Sequence, residues 1–214
     1  MKRVDRSGRG SGGGGSALGV LLAICRHLLA SRRWLRALVA IGLLGFVGQW
    51  IYFWNREHRF DPLILTASRR YHVEPALVKA VIWKESRFNA RALGSVGERG
   101  LMQVRDAAGY EWAGAEKRTG FSENQLSDPE VNVHAGSWYL SLLLKRYRAT
   151  DNPVPYALAD YNAGRKHVLR WMQGTAKTNS AAFVARMDYP GTRAYIAAVT
   201  QRFEHYRSEA EQLR

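Results

Sequence analysis

The chain has 214 residues, of which 46% are hydrophobic and 11% aromatic, so it can bury a substantial core and is not a disordered protein. Its net charge of +14 suits an anionic partner, for which nucleic acid, acidic lipid and anionic cell-wall polymer are all candidates. Cys25 is the only cysteine, which excludes an internal disulfide and a Cys-rich zinc site.

The first 60 residues are the most basic part of the chain, with 10 Lys/Arg against two Asp/Glu (net +8), while the remainder carries 22 against 16 (net +6). Residues 1–16 combine basic side chains with a Gly/Ser run that has nothing to bury, which predicts a disordered tail. Residues 17–36 are apolar but interrupted by Arg26 and His27, which is typical of an amphipathic basic segment at a membrane surface.

A long apolar run follows, because residues 37–54 contain no charged side chain and only Gln49 as a clearly polar one. Eighteen helical residues extend about 27 Å, close to the thickness of a bilayer core. We therefore predict a single transmembrane helix over residues 37–55 and a short linker over residues 56–61. A buried helix of a soluble protein and a cleaved signal peptide are the alternatives, although no Ala-x-Ala cleavage site follows the run.

The basic residues around the predicted span give its orientation. Close to the membrane they are equal in number on the two sides, but the tail adds Lys2, Arg3, Arg6 and Arg9 on the amino-terminal side. Positive charge tends to stay in the cytoplasm. The distribution therefore favours a cytoplasmic amino terminus and an exported carboxyl-terminal domain.

From Asp61 onward the chain shows helical periodicity separated by turn signals, without the alternation of strands, which predicts an all-α domain over residues 62–210. Acidic-Pro pairs predict three helix starts, because proline at the first helical position has no intrahelical N–H to lose. These pairs are Asp61-Pro62, Glu74-Pro75 and Asp128-Pro129. The helix after Asp128 is expected to reach about Arg148.

The last predicted helix carries a regular apolar stripe. Thr192 is a suitable amino-terminal cap, and Ile196, Val199, Phe203 and Tyr206 recur after it at helical spacing. We interpret these four residues as core rather than as part of a site.

Glu85 is a carboxylate in an apolar setting. Val78, Val81 and Ile82 stand seven, four and three residues before it, so the helical period puts Glu85 on the same stripe as these core-facing side chains. It also falls near the predicted carboxyl end of its helix, where the helix dipole disfavours a negative charge. Stability alone does not explain this residue, and both effects predict a raised pKa for a functional acid.

Four ordered motifs carry a resemblance to a known family. They are the stretch from Glu85 to Gln103, which begins ESRFN and ends GLMQ, the helix start Asp128-Pro129 with Asn132 and Gly136, YNAG at 161–164 and PGTRAY at 190–195. Together they resemble the catalytic domain of lytic transglycosylases of the soluble-lytic-transglycosylase, goose-lysozyme-like type, over about residues 62–207. The resemblance implies a lysozyme-like helical domain with a groove.

The resemblance also implies a reaction. It is the non-hydrolytic cleavage of the peptidoglycan bond from N-acetylmuramic acid to N-acetylglucosamine, which leaves a 1,6-anhydromuramyl end. Glu85 matches the family's catalytic glutamate and would act first as acid and then as base, assisted by the substrate's own N-acetyl group. No cofactor and no metal are implied.

The implied substrate-binding residues come from the same motifs. Those expected to hydrogen-bond sugar, to orient Glu85 or to offer apolar surface are Ser86, Met102, Gln103, Tyr161, Asn162 and Tyr195. A packing role for Met102 stays open. For Asp160, the nearest candidate for a second acid, we favour a solvated or structural role. Arg105 departs from the family, because it places a cation where a groove methionine is usual.

We therefore expect an enzyme of the bacterial inner membrane, single-pass, whose catalytic domain acts on peptidoglycan glycan strands in the periplasm. A lysozyme-type hydrolase and a non-catalytic wall-binding scaffold are the alternatives. Nucleic acid is not an expected partner, because no helix combines an Arg/Lys stripe with interleaved aromatic residues. The sequence does not indicate a protein partner.

Overall fold

The computed structural model describes residues 17–212, so the predicted disordered tail over residues 1–16 lies outside the described residues. The chain divides into two compact units, of which the first ends at Phe53 and the second begins at Trp54. Helix α1 (Ala17–His58) forms the described part of the first unit, and its last residues belong to the second unit.

Helix α1 differs from the three segments expected from the sequence. The amphipathic segment 17–36 and the apolar segment 37–55 belong to one continuous helix, because no proline interrupts them. Within the expected linker 56–61, the helix extends through His58, Phe60 is buried and Asp61 begins the next helix.

One stretch of this region is long and apolar enough to cross a membrane. Its 18-residue window has a mean hydropathy of 1.7 and is 0% buried. This finding rests on length and composition, and a signal sequence near an amino terminus is long and apolar enough to meet the same criterion. The transmembrane role of α1 therefore stays a prediction.

The second unit confirms the expected all-α fold, since every regular element within residues 61–212 is helical. Eight α-helices are present: α2 (Asp61–Tyr71), α3 (Pro75–Ser86), α4 (Asp106–Ala115), α5 (Pro129–Arg146), α6 (Pro153–Ala163), α7 (Arg165–Trp171), α8 (Ser180–Arg186) and α9 (Pro190–Gln212). Two short 3-10 helices (Glu123–Ser127 and Gly174–Lys177) connect some of them. Two isolated β-bridges, Leu93 to Arg99 and Arg99 to Val104, tie the loop between α3 and α4.

Helix α3 is the centre of this unit. It packs on α2 and α9, and every residue from Ala76 to Ile82 is buried. The predicted core positions Val78, Val81 and Ile82 are each 0% exposed, as their spacing indicated. Glu85 follows on the last turn of the same helix, so the core fixes the position of its backbone.

Lys79 is buried within α3, which the sequence did not predict. Its Nζ lies 2.8 Å from Asp61 Oδ1 and 3.1 Å from His58 Nδ1. A buried ammonium group is stable only when paired, and Asp61 supplies the charge. Asp61 thus binds Lys79 and does not cap α2, in contrast to a simple interpretation of the Asp-Pro pair.

The other helix starts follow their predictions more closely. Glu74-Pro75 begins α3, and the Asp128 carboxylate accepts hydrogen bonds from the backbone N–H groups of Glu130 and Val131 at the start of α5. Helix α5 ends at Arg146, two residues before the expected end. Helix α9 begins at Pro190, so Thr192 lies inside the helix and is not its cap.

The predicted stripe of α9 is confirmed as core. Ile196, Val199, Phe203 and Tyr206 are all buried. Helix α9 packs along α3 and also contacts α6, so these apolar residues hold the central helix from one side.

At Gly136, helix α5 packs closely against Met102. A Cβ added there would lie 2.5 Å from Met102 Sδ and 2.7 Å from Met102 Cβ.

We expect Gly136→Ala to lower the free energy of unfolding by about 1–3 kcal/mol, because a packed core resists an added methyl group. Chemical denaturation measures this change. Gly114→Ala is the matched control, since that helical glycine has no atom within 4 Å of an added Cβ and should gain stability. An equal response of the two variants would contradict the close packing.

Candidate active site

A cleft of about 440 Å³ opens beside the end of α3. Its walls come from α3, the loop after it, α4, α5 and α6. The lining residues with functional side chains are Glu85, Ser95, Glu98, Gln103, Arg105, Glu111, Tyr139, Asp160, Tyr161 and Asn162. The cleft therefore brings together residues of two of the four motifs that the sequence singled out, the stretch from Glu85 to Gln103 and YNAG.

Glu85 reaches this cleft because the chain turns sharply just after it. Arg87 and Phe88 both have left-handed backbone conformations, with φ of 51° and 60°. Arg87 ends α3, and its guanidinium lies 3.4 Å from the centre of the Trp83 ring. The cation two residues beyond Glu85 is thereby held against an aromatic ring. It makes no ion pair with Glu85.

Tyr195 holds the Glu85 carboxyl group directly. Its hydroxyl donates a hydrogen bond of 2.6 Å to Glu85 Oε1 from α9, 110 residues further along the chain. Burial, followed by the nearby charge of Glu85, raises the pKa of Tyr195 well above its ordinary value. The hydroxyl therefore stays protonated and remains a donor.

Burial raises the pKa of Glu85 from 4.5 to about 7. The hydrogen bond from Tyr195 and the charge of Lys84 oppose this shift, and the charge of Glu98 adds to it. Desolvation exceeds the two opposing effects, as the sequence predicted. Glu85 can therefore be protonated at neutral pH and can still lose its proton there.

The loop after α3 forms one wall of the cleft. Gly97 and Gly100 have φ of 93° and 75°, so these positions need the freedom of glycine. The buried amide of Asn132 on α5 accepts from the Met102 N–H at 2.8 Å and donates to the carbonyl oxygens of Arg99 and Leu126. One side chain thus fixes both sides of the turn that precedes Gln103.

Gln103 lies in the cleft, as expected. Its backbone is left-handed with φ of 48°, and its Nε2 donates to the carbonyl oxygens of Ala92 and Gly100 at 3.1 and 3.0 Å. Both amide hydrogens are therefore used inside the loop, and the carboxamide oxygen is the atom left to accept a hydrogen bond.

Tyr161 and Asn162 also lie in the cleft. The Tyr161 hydroxyl donates to the Met102 carbonyl oxygen at 2.7 Å, which ties α6 to the loop. Asn162 is exposed, and its Oδ1 accepts from the Thr192 hydroxyl at 3.0 Å. The Asn162 amide nitrogen is therefore oriented by α9 and can donate to a ligand.

Three of the expected substrate-binding residues are corrected by their burial. The Met102 side chain is 0% exposed and packs against Gly136, so it offers no surface to a sugar and has the packing role left open above. The Ser86 hydroxyl donates to the Ile82 carbonyl oxygen inside α3 and does not line the cleft. Tyr195 is only 4% exposed, and its hydroxyl orients Glu85.

Asp160 has the structural role that the sequence favoured, but it is buried and not solvated. Its Oδ2 lies 2.7 Å from Arg146 Nη1 and accepts a hydrogen bond of 2.6 Å from the Tyr147 hydroxyl. Only 2% of its side chain is exposed. The Asp160 carboxylate is thus neutralised from behind the cleft by α5.

Two cleft residues were missed by the sequence analysis. Glu98 accepts hydrogen bonds from Arg105 at 3.2 and 2.9 Å, so the unusual cation at position 105 is neutralised within the loop. Tyr139 on α5 lies beside Tyr161, with ring centres 5.7 Å apart. The seven-residue separation of Glu98 and Arg105 gives no local signal, because the pair depends on the bridge between Arg99 and Val104.

Comparison with known proteins agrees with this geometry. The family model described as the transglycosylase SLT domain matches residues 62–184, which is more than half of the chain. The chain belongs to the transglycosylase SLT domain family. The match begins one residue after the start of α2 and includes Glu85, Gln103, Tyr161 and Asn162.

Curated relatives share this domain. The membrane-bound lytic murein transglycosylase C of Pectobacterium atrosepticum is 40% identical over 122 residues, which cover 54% of this chain and 34% of the relative. The protein of the same name from Salmonella arizonae is 34% identical over 143 residues, covering 64% and 39%. The chain thus spans little more than a third of the length of the curated relatives it matches.

Solved structures confirm a lysozyme-like lytic transglycosylase fold. The 70 kDa soluble lytic transglycosylase SLT70 from Escherichia coli superposes with a TM-score of 0.64 at 25% identity, covering 71% of this chain and 24% of that protein. An inactive mutant of the lytic transglycosylase Slt from Pseudomonas aeruginosa gives the same TM-score at 23% identity, covering 70% and 24%. The SLT domain of this chain therefore has the fold that the four motifs implied.

Proposed function

We propose that this SLT-domain protein is a membrane-anchored peptidoglycan lytic transglycosylase. It cleaves the bond from N-acetylmuramic acid to N-acetylglucosamine and forms 1,6-anhydromuramyl products. The observation that carries the proposal is Glu85, a largely buried carboxyl group in an open cleft whose pKa is raised to about 7. The relatives described above are named lytic murein transglycosylases, which supports the same reaction class.

Glu85 performs both proton transfers in this mechanism. In its protonated form it donates a proton to the glycosidic oxygen, so the bond from that oxygen to C1 of the muramyl residue breaks. The resulting carboxylate then takes the proton from the C6 hydroxyl as the C6 oxygen bonds to C1. The ring closes without water, and Glu85 is protonated again for the next cycle.

Tyr195 acts as a positioning residue for both steps. Its hydrogen bond at 2.6 Å fixes one carboxylate oxygen, and a hydrogen bond to the charged form stabilises the carboxylate that serves as base. The burial of Glu85 stabilises the acid form. A pKa close to neutral allows one residue to serve as acid and base at a single pH.

Two of the three other carboxylates that line the cleft do not favour a hydrolase, and the third, Glu111, is an exposed residue of α4. Most glycosidases use a second carboxylate as nucleophile or as base for water. Asp160 is bound by Arg146 and Tyr147, and Glu98 is bound by Arg105. Both are therefore held in ion pairs within the protein, and neither is free to act as a second catalytic carboxylate.

The proposed location follows from α1. We assign its apolar part as a single-pass anchor in the bacterial inner membrane and the SLT domain to the periplasm, where peptidoglycan lies. Protease treatment of intact spheroplasts tests this topology. The SLT domain should be digested from outside, whereas protection of the domain until the membrane is disrupted would contradict the assignment.

The reaction is tested with the full chain in detergent and purified peptidoglycan. Mass spectrometry of the released muropeptides should find products lighter by one water than hydrolysed ones. Products with reducing ends alone would favour the hydrolase, and binding without any product would favour the scaffold.

Tyr195→Phe provides a pH-dependent prediction. The tyrosine hydrogen bond lowers the pKa of Glu85, so its removal raises that pKa further. Glu85 must begin protonated, and activity therefore falls as pH rises through its pKa. The basic limb of the pH–rate profile should move to higher pH in the variant, with a loss of rate of about tenfold as the carboxylate loses its partner.

Tyr156→Phe is the matched control, because the Tyr156 hydroxyl is also buried but donates to the Ala176 carbonyl oxygen, away from the cleft. Its basic limb should stay in place. A Tyr195→Phe profile that coincides with that of the native protein would contradict the positioning role.

A further inference from the structure

A second cleft, of about 400 Å³, lies on the other side of Asn162. Its lining residues are Lys84, Asn162, Tyr189, Pro190, Gly191, Thr192 and Tyr195. Asn162 lines both clefts, and Tyr195 is hydrogen-bonded to Glu85. A polymer bound across Glu85 can therefore contact both clefts at once.

The two clefts differ in their charged residues. The acidic residues that line the first cleft are Glu85, Glu98, Glu111 and Asp160, and its one basic residue, Arg105, is paired with Glu98. No carboxylate lines the second cleft, where Lys84 is the only charged lining residue. A negatively charged substituent therefore meets an unpaired cation in the second cleft and none in the first.

Lys84 is available to bind such a group. It has no ion-pair partner within the described part of the chain, and its nearest aromatic contact is Tyr195, whose ring centre lies 5.8 Å from Nζ. It is held on the last turn of α3, one residue before Glu85. Gly191 adds no side chain to this cleft, and the 40% exposed ring of Tyr189 provides an apolar surface beside it.

We propose that Lys84 binds a carboxylate of the glycan strand in the second cleft and so determines which way the strand lies across Glu85. This inference rests on the proposed function. It names Lys84 as a specificity-determining residue. An ammonium group is a compact point charge with rotatable donors, so it can follow a carboxylate on a flexible substituent.

Two sources of carboxylate are possible in peptidoglycan. In intact strands the carboxylates belong to the stem peptide, because the lactyl group of N-acetylmuramic acid is bound to that peptide as an amide. In strands from which an amidase has removed the peptide, the lactyl carboxylate is free. Oligomers of N-acetylglucosamine have neither group and serve as the neutral reference.

The test measures binding in an inactive background, so that turnover does not interfere. Dissociation constants are compared for Glu85→Gln, Glu85→Gln/Lys84→Gln and Glu85→Gln/Lys84→Arg with the three polymers. We expect Lys84→Gln to weaken binding of carboxylate-bearing strands by about tenfold and to leave neutral oligomers within about twofold. Lys84→Arg keeps the charge and should retain most of the affinity.

The polymers also distinguish the sources. A loss confined to intact strands assigns the stem peptide, and a loss with amidase-treated strands assigns the lactyl group. An equal loss for all three polymers, or no loss for any, would overturn the proposal. The native protein's turnover is measured separately, so a selective loss of binding without any anhydro product would reject the proposed function and keep the Lys84 site.

Discussion

Glu85→Gln is expected to reduce turnover of peptidoglycan by about 10³- to 10⁴-fold, because both proton transfers use this one carboxyl group. The glutamine amide has nearly the same shape and can still accept a hydrogen bond from Tyr195. Binding of glycan strands should therefore be retained. Release of soluble muropeptides measures turnover, and sedimentation with insoluble peptidoglycan measures binding.

The same substitution should stabilise the protein at high pH. The folded protein holds a proton on Glu85 up to about pH 7, whereas the unfolded chain releases it near 4.5, so stability decreases as pH rises through this window. Ionised Glu85 thus costs about 3 kcal/mol above pH 7, and glutamine does not ionise. Thermal unfolding should show a higher Tm for the variant at pH 8 and a similar Tm at pH 4.

Glu211→Gln is the control for both measurements, because Glu211 is an exposed residue of α9 outside both clefts. It should preserve turnover and show no pH-dependent gain in stability. A Glu85→Gln protein that retains turnover would exclude Glu85 as the acid and base of the reaction.

Asn132→Ala is the second change with a large expected effect, because this fully buried amide makes three hydrogen bonds to the backbone. Its removal leaves the Met102 N–H and the carbonyl oxygens of Arg99 and Leu126 without their partner. We expect the free energy of unfolding to fall by about 3–5 kcal/mol. Chemical denaturation followed by circular dichroism measures the loss.

The activity of the Asn132 variant should also fall at temperatures where it stays folded, because the loop that carries Gln103 loses its support. Asn179→Ala is the matched control, since its carboxamide only caps α8 by accepting from the Ala182 N–H, and its loss should be about 1 kcal/mol. Similar losses for the two variants would contradict the central role of the buried amide.

Local patterns predicted the parts of the fold that local forces decide. The spacing of Val78, Val81 and Ile82 identified the buried face of α3, and the stripe from Ile196 to Tyr206 identified that of α9. The Asp128 cap was predicted because its partners are the next two N–H groups along the chain. In each case the determining interaction lies within one helix.

Side-chain roles were harder to predict where the partners are distant in sequence. Tyr195 was expected to offer a surface to sugars, but it donates to Glu85 across 110 residues. Met102 was expected in the cleft, but the absence of a side chain at Gly136 makes room for it in the core. Lys79 is buried because Asp61, 18 residues earlier, supplies its charge.

Charge at the cleft depended on pairing as well as on composition. Arg105 suggested a more positive groove, but Glu98 neutralises it through a bridge that folds the loop back on itself. The sequence did not identify Lys84 as a residue that binds substrate. Lys84 lines the second cleft, whereas the neighbouring cation Arg87 lies against the Trp83 ring and does not line it.

In the proposed mechanism, Glu85 takes the proton from the C6 hydroxyl while the C6 oxygen bonds to C1, and water takes no part. It is tested by digesting peptidoglycan with the full chain in water enriched in the heavy oxygen isotope and weighing the products. The proposed mechanism predicts 1,6-anhydromuramyl products that lack one water and contain no heavy oxygen. Muramyl products that have gained a heavy oxygen at the reducing end would contradict it and would establish hydrolysis.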